Sequence, residues 1–466
     1  KIYGAAMGDS ELVMYYNTAL LEQAGITAED LFGNVDGEHR ISWEKLVETA
    51  KEIQAKVDPD GSQGIIGIEF QQVGRTYQMN VLANDRGGAN IAEGGLSVDG
   101  VINSAPWIEA LTWYQQQVND GVFSKGIAAG DTSSICREEA PFLQAPPLSL
   151  EEKDRYFIPE RGESGSALEH GQKALDLVLS RGFGPHGLLY TGAGDWNDGM
   201  DRVGGESVWL TWFFAHTAAR FAALMERLGK TGGAVYADAS AQCIRAAERA
   251  WDGGWYLRGW WHDGAPLGAA GASACAIDST VQSWAAFCPC ADRSRVRTAL
   301  RFCSERLYDE AHGLTKLFTP PFGDGGRDPG YIRACGPGFR ENGGQYTHGA
   351  VWLASALLKE GFTDLGANML LDLMPARHTA AQWAAEPYVL AADVSANPDH
   401  YGEALWSWYT GSAGWFFRVV LEDLLGIRLR DGRLIAEPRL PAGWEGYEAD
   451  ICGRKVRVRR GKVTIT

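Results

Sequence analysis

SVWLTWFFAHTAARFAALMERL, Ser207 to Leu228, decides the fold: apolar residues recur at three- and four-residue spacing, and no glycine or proline interrupts them. Such spacing predicts a long helix whose apolar face must be covered by others of its kind. The pattern returns in Ala167–Ser180, Ala237–Ala250, Asp278–Phe287, Ser294–Leu307, Thr347–Leu358, Leu365–Leu373 and Trp406–Leu425, about eight helices in all. Long helices alternating with Gly-rich loops suggest a mainly α toroid of helical hairpins. From Ile427 the period falls to two, in IRLRDGRLIAEPRL and RKVRVRRGKVTI, with Asp431-Gly432 as a hairpin turn, so a small C-terminal β-sheet is expected after the helices.

Immediately upstream of the first quoted helix runs LLYTGAGDWNDGMD, Leu188 to Asp201, which sets two carboxylates around a tryptophan in a Gly-flanked turn. A pyranose stacks its C–H face on an indole and offers hydroxyls to neighbouring carboxylates and amides, while a carboxyl held against an aromatic wall is suited to general-acid use. The competing reading is an Asx-turn or helix cap, in which Asp and Asn bond nearby backbone N–H groups.

Composition changes near residue 138. The first 138 residues hold 9 Lys+Arg and 20 Asp+Glu, net −11, and the remaining 328 hold 34 and 39, net −5, which together make the overall −16. Three tryptophans fall before that point and 14 after it. The first part reads as α/β: strand into helix at 14–26, a helix after Ser42 from Trp43 to Lys56, a buried strand at 64–70, and a helix from Pro106 to Val118. Through YYNTALLEQAGI, SWEKLVETAKEIQ and WIEALTWYQQQVNDGVF, residues 1–130 resemble part of a bacterial sugar-binding protein of the ABC-importer family 1 type, whose parent would be extracellular or periplasmic. Asp58-Pro-Asp60-Gly lacks the ligand series of an EF-hand and reads as a surface turn. Residues 131–140 are the expected junction of two unrelated pieces, a chimera.

The net charge of −16 argues against nucleic acid or an anionic membrane as partner, and no run approaches a membrane span. Eight cysteines lack paired spacing, so free thiols and no metal site are expected, which suits a reducing compartment. The chain starts at Lys1 without a leader, as a fragment would.

GDWNDGM at 194–200, ENGGQYTH at 341–348, EPYVLAADV at 386–394 and WSWYTGSAGW at 406–415 occur in this order in one known family. From about Pro141 onward the chain resembles glycoside hydrolase family 94, the cellobiose-type phosphorylases. GESVWL at 205–210 and DPGYIRACGPGFRENGG at 328–344 look closer to β-1,2-oligoglucan phosphorylases and to the phosphorylase-like domain of cyclic β-1,2-glucan synthases. The resemblance implies an α/α six-hairpin toroid over 141–426, here partial because the family's N-terminal hairpins and β-sandwich have no counterpart in the chain, and a β cap over 427–466. It also implies inverting phosphorolysis of a β-linked glucan to α-glucose 1-phosphate, with inorganic phosphate as co-substrate and no other cofactor, in a bacterial cytoplasm and as a homodimer.

Carried over residue by residue, the resemblance makes Asp198 the general acid and puts Asp195, Trp196, Glu341 and Gln345 against the sugar. His348, Thr410 and Gly411 match phosphate-contacting positions, where an imidazolium, a hydroxyl and backbone N–H groups would bond the anion. One phosphate-binding arginine of the family has no counterpart, so the resemblance leaves the unit's phosphate affinity, and activity in this truncated form, open. Local alternatives stand beside these roles: His348 as a helix-start residue, Thr410-Gly411-Ser412 as a plain turn, Arg258 paired with Asp263 or stacked on Trp260 or Trp261, and Asp278 with Gln282 either facing the pocket or, for Asp278, capping a helix. Two other functions remain open, an oligosaccharide-binding module of an importer and a phosphate-independent glucan hydrolase or transferase.

Overall fold

The computed structural model describes residues 18–27, 30, 42–61, 65, 67–68, 82–89, 104–122, 136, 139–145, 160–407, 411–430, 433–451, 454–459 and 461–466. The chain divides into two compact units, Lys1–Ala129 and Gly130–Thr466.

In the first unit, helices α1 (Thr18–Ala24), α2 (Trp43–Val57) and α3 (Ala105–Asn119) are described. Ser42 starts α2 by accepting the Lys45 N–H, which satisfies one of the donors a helix leaves orphaned at its N-terminus. Leu21, Ala24, Leu46 and Val57 form one small apolar cluster, and Val47, Ala50 and Val122 another. Asp58 to Gly61 is a turn closed by Gly61 N–H on Asp58 O at 3.1 Å. The strand expected before α1 and most of the strand expected at 64–70 lie outside the described residues.

The second unit is mainly α with small sheets. A β-hairpin, Glu139–Gln144 with Glu160–Ser166, leads into α4 (Ala167–Ser180), whose start carries a complete capping box between Ser166 and Glu169. The following helices are α5 (Val208–Arg227), α6 (Ala234–Glu248), α7 (Ser279–Phe287), α8 (Arg293–Leu307), α9 (Thr347–Lys359), α10 (Thr363–Leu371), α11 (Ala380–Trp383) and α12 (Ser412–Val419). The connections from α5 to α6, α7 to α8 and α9 to α10 are short, so each pair is a helical hairpin.

Three of the helices begin directly after a two-residue strand: α5 after Glu206–Ser207, α7 after Ile277–Asp278 and α9 after Gln345–Tyr346. Ser207 and Asp278 cap α5 and α7 by accepting N–H bonds from Leu210 and Thr280. Helices α5, α7, α9 and α12 then meet through Trp209, Trp284, Trp352 and Trp415, with ring centroids 5.4 to 6.4 Å apart. Offset and edge-on aromatic pairs of this kind contribute about 0.5–1.5 kcal/mol each beyond the area they bury. The loops ahead of these helices, which carry the sequence motifs, are thereby gathered around one aromatic seam.

Two expectations need correction. Of the helix expected across Trp406–Leu425, the described helical part is Ser412–Val419, and it ends in a π-helical turn, Val420–Leu424. Its first residues are drawn away because Ala404–Leu405 pairs with Asp393–Val394, and Trp406 follows in the left-handed region at φ 49°. The single C-terminal sheet is two sheets: Ile427–Arg430 with Arg433–Ala436, and Gly446–Ile451, Arg454–Arg459 and Lys462–Ile465. Arg430 pairs with Arg433, which leaves room for the two-residue turn, but Asp431 and Gly432 lie outside the described residues.

Candidate active site

The loop 191–198 is tight. Gly194 adopts φ 112°, and a Cβ there would fall 2.7 Å from Asp198 Cα, so a side chain at this position would unseat the aspartate. The chain then enters a 3₁₀ turn, Asp198–Met200. Asp198 is exposed, and the Tyr331 phenol lies near enough to feel the field of its carboxylate. Desolvation and the neighbouring carboxylates of Asp198 and Glu341 push the Tyr331 phenol up to about 12, so it stays protonated near neutral pH. Tyr331 is itself anchored, its N–H bonding Asp201 Oδ1 at 3.0 Å.

Asp195 faces the other way. Its side chain is fully buried, and both oxygens are bound by Arg258, from Nη1 at 2.7 Å and Nη2 at 2.6 Å. Ser207 Oγ donates at 2.5 Å and the Asn197 N–H at 3.0 Å. The resemblance set this carboxylate against the sugar; in the structure its oxygens are occupied from inside the protein. Arg258 also bonds Asp278 through Nε at 3.1 Å, whereas Asp263 pairs with Arg327, which corrects the expected Arg258–Asp263 partnership. Asp278 caps α7, and Gln282 clasps the Tyr256 backbone at 2.8 and 3.0 Å, so neither opens into a pocket.

Removing one partner from such a buried pair costs roughly 3–5 kcal/mol. The exposed Arg202–Asp328 pair, which joins the two loops on the outside, belongs to a class worth about 0.2–1 kcal/mol. The inner tie therefore dominates the seating of the loop.

Trp196 joins the motifs. Its ring lies 5.3 Å from Tyr346, 6.0 Å from His348 and 5.3 Å from Trp352, centroid to centroid. His348 sits in the first turn of α9 among Trp196, Trp352 and Trp415, where burial holds its imidazole below the usual value. A Cβ on Gly411 would lie 3.6 Å from His348 Cε1, which brings the backbone of the fourth motif to the same ring. Thr410 lies outside the described residues. Gln345 is buried, and its Oε1 accepts the Thr315 N–H at 2.7 Å, fastening a neighbouring strand. Glu341 is half-buried and paired with Arg340 Nε at 3.3 Å. The Arg340 guanidinium also lies 4.5 Å from the centre of the Trp406 ring, and both residues hold left-handed backbones, at φ 46° and 49°. Non-glycine residues in that region signal strain of a kind concentrated at functional sites.

Two further polar groups were not singled out from sequence, although both lie inside the quoted motifs. The Asn197 amide is buried, and neither its nitrogen nor its oxygen has a hydrogen-bond partner among the described residues. Asp393 is almost wholly buried with Oδ2 unpartnered, and burial raises its carboxyl to about 6 against the lowering effect of Arg340. A raised carboxyl stabilises the fold fully below about pH 4, and that contribution disappears as pH climbs through about 6. Asp393→Asn, neutral at every pH, is therefore expected to be more stable than the parent at pH 8 by about 1–3 kcal/mol and to lose that advantage near pH 4. Urea unfolding at the two pH values checks it, and an equal difference at both would reject the assignment.

A cavity of about 1010 Å³ in the same unit is lined by His216, Arg220, Arg293, Lys359, Arg418 and Arg428 among others, and meets the motifs only at Trp415. Its cations are mostly answered: Arg293 by Glu360, Lys359 and Arg428 by Asp423, and Arg418 by Glu422. Seven cysteines among the described residues are free thiols. No helix among the described residues is long and apolar enough to cross a membrane, and no described cluster of His, Cys, Asp and Glu could hold a metal ion.

Residues 152–426 match the family described as "Glycosyl hydrolase 94 superfamily, catalytic domain". The chain belongs to that superfamily. The chain is 40% identical over 329 residues to the Cyclic beta-(1,2)-glucan synthase NdvB of Rhizobium meliloti, covering 68% of this chain and 12% of that protein. It is 28% identical over 310 residues to the Solabiose phosphorylase of Paenibacillus borealis, covering 64% of this chain and 39% of the relative. The chain thus spans well under half the length of these glycosyl hydrolase 94 relatives. A further match, 26% identical over 145 residues, is to the Lactose-binding protein of Rhizobium radiobacter and covers 29% of this chain and 31% of that protein, in keeping with the binding-protein fragment read from the sequence.

Proposed function

We propose that the second unit is the partial α/α hairpin toroid of a glycoside phosphorylase and carries out inverting phosphorolysis of a β-linked glucan. The observation that supports this reading is the position of Trp196, two residues from Asp198 and 6.0 Å from the His348 ring: one indole links the loop bearing the acid to the imidazole and the Gly411 backbone. Asp198 in its protonated form gives its proton to the glycosidic oxygen as the bond to the anomeric carbon breaks. A phosphate oxygen forms the new bond from the opposite face, so the product is α-glucose 1-phosphate and the glucan leaves as an alcohol. No second carboxylate is needed to activate a nucleophile that already carries negative oxygens.

In this reading Trp196 stacks the sugar, Glu341 receives its hydroxyls and the Gln345 amide lies behind them. Asp195 shapes the subsite from below, and His348, Thr410 and Gly411 hold the anion. The 40% identity to a cyclic β-(1,2)-glucan synthase favours β-1,2-linked glucan as the substrate class. The free thiols favour a reducing compartment for the catalytic unit.

The test is incubation of the full chain with β-1,2- and β-1,4-linked gluco-oligosaccharides, with and without phosphate. Glucose 1-phosphate formed only with phosphate, and faster from the β-1,2 series, is expected. Release of free glucose at the same rate in phosphate-free buffer would replace phosphorolysis by hydrolysis.

A further inference from the structure

Arg258 stands outside the four motifs, in WYLRGWWHDG, and is only 3% exposed, too enclosed to meet a substrate. Its guanidinium nonetheless touches three elements of the site. Two parallel bonds reach Asp195 in the acid-bearing loop, at 2.6 and 2.7 Å. Nη1 lies 3.3 Å from Ser207 Oγ, the residue that starts α5, and Nε bonds the Asp278 cap of α7 at 3.1 Å. Asp195 in turn accepts the Asn197 N–H at 3.0 Å, so the turn that carries Trp196 forward to Asp198 is closed on a carboxylate whose own orientation is set by Arg258.

The electrostatics agree with the geometry. Burial opposes ionisation of both aspartates; the nearby guanidinium overcomes this at Asp195, held below its usual value, and not at Asp278, which is raised. The charge on the guanidinium is directed chiefly at the loop. A planar fork matched to a carboxylate cannot be replaced by an ammonium, which offers a point charge and no fixed plane.

We propose that Arg258 is a positioning residue: through Asp195 and the Asn197 N–H it fixes the turn that aims Asp198, without contacting substrate. This rests on the role given to Asp198 above. It separates from a purely structural role because its effect should be confined to the loop.

Arg258→Lys and Asp195→Asn in the full chain are to be compared with the parent by hydrogen–deuterium exchange, circular dichroism and phosphorolysis kinetics. Both are expected to keep their helical signal, to exchange the amides of 194–200 faster by ~10-fold or more, and to lose on the order of 10²-fold in kcat with little change in KM, the penalty of an ångström-scale misplacement. Unchanged exchange at 194–200 in a folded Arg258→Lys overturns the proposal. So does exchange that rises equally through α5 and α7, or loss of folding in both variants, since each makes the residue a general support. If the parent itself forms no sugar phosphate, the phosphorylase reading fails and the exchange data alone decide whether Arg258 seats the loop.

Discussion

Asp198→Asn is expected to lower kcat for phosphorolysis of a β-glucan by 10²–10⁴-fold, the usual worth of a positioned general acid. The amide is nearly isosteric with the carboxyl and leaves the Asn197 N–H bond to Asp195 in place, so the loop should keep its shape. What it lacks is a proton to deliver. The loss should therefore depend on the leaving group: β-glucosyl fluoride, whose departing anion needs little help, should react at a rate within about tenfold of the parent, because the missing interaction matters only where charge develops on oxygen. Equal rates for parent and variant on the glucan would remove Asp198 from the acid role. An equal loss on both substrates would point to a displaced loop instead.

The second large effect is expected at Gly330, in the loop that carries Tyr331. Gly330 holds φ 120°, a backbone state closed to other residues, and a Cβ there would fall 1.8 Å from Asp201 Oδ1 and 2.8 Å from Gly199 O. Gly330→Ala cannot keep both this backbone and the Tyr331 N–H bond to Asp201. The strain alone is worth about 1–3 kcal/mol. Relief by moving the loop takes the Tyr331 hydroxyl away from Asp198, for which a ~10²-fold fall in kcat is expected. Gly325→Ala is the control: it lies in the same connection, its Cβ would meet nothing within 4 Å, and its melting temperature and turnover should match the parent. A Gly330→Ala protein that melts and turns over like the control would sever the link between this loop and the acid.

The helices were legible because burial imposes a period on the sequence and because Ser166, Ser207 and Asp278 mark three starts. The run from Trp406 misled because Ala404–Leu405 is held in a strand and Trp406 follows with a left-handed backbone, which the apolar period alone does not reveal. Four motifs could be set in order, and Trp196, His348 and Gly411 do come together. The facing of the two aspartates could not be read. They flank the same indole, and what turns Asp195 inward is an arginine 63 residues away. Tyr331 and Asp393 were within the quoted strings, but a phenol's neighbours and a carboxyl's burial are tertiary facts with no local signature. Gln345 and Gln282 show the converse, side chains that the sequence offers to a ligand and the fold uses on backbone N–H and C=O groups.

The surroundings of Asp198 are thus fastened in two unlike ways, with Arg258 enclosed beneath the turn and Arg202 and Asp328 meeting in open water above it. Dissolved electrolyte weakens the second attraction and leaves the first nearly untouched, because mobile ions cannot enter the protein interior. Concentrated salt is accordingly expected to weaken the tie between the loops of Arg202 and Asp328 while leaving the Arg258 clamp beneath Asp195 in place.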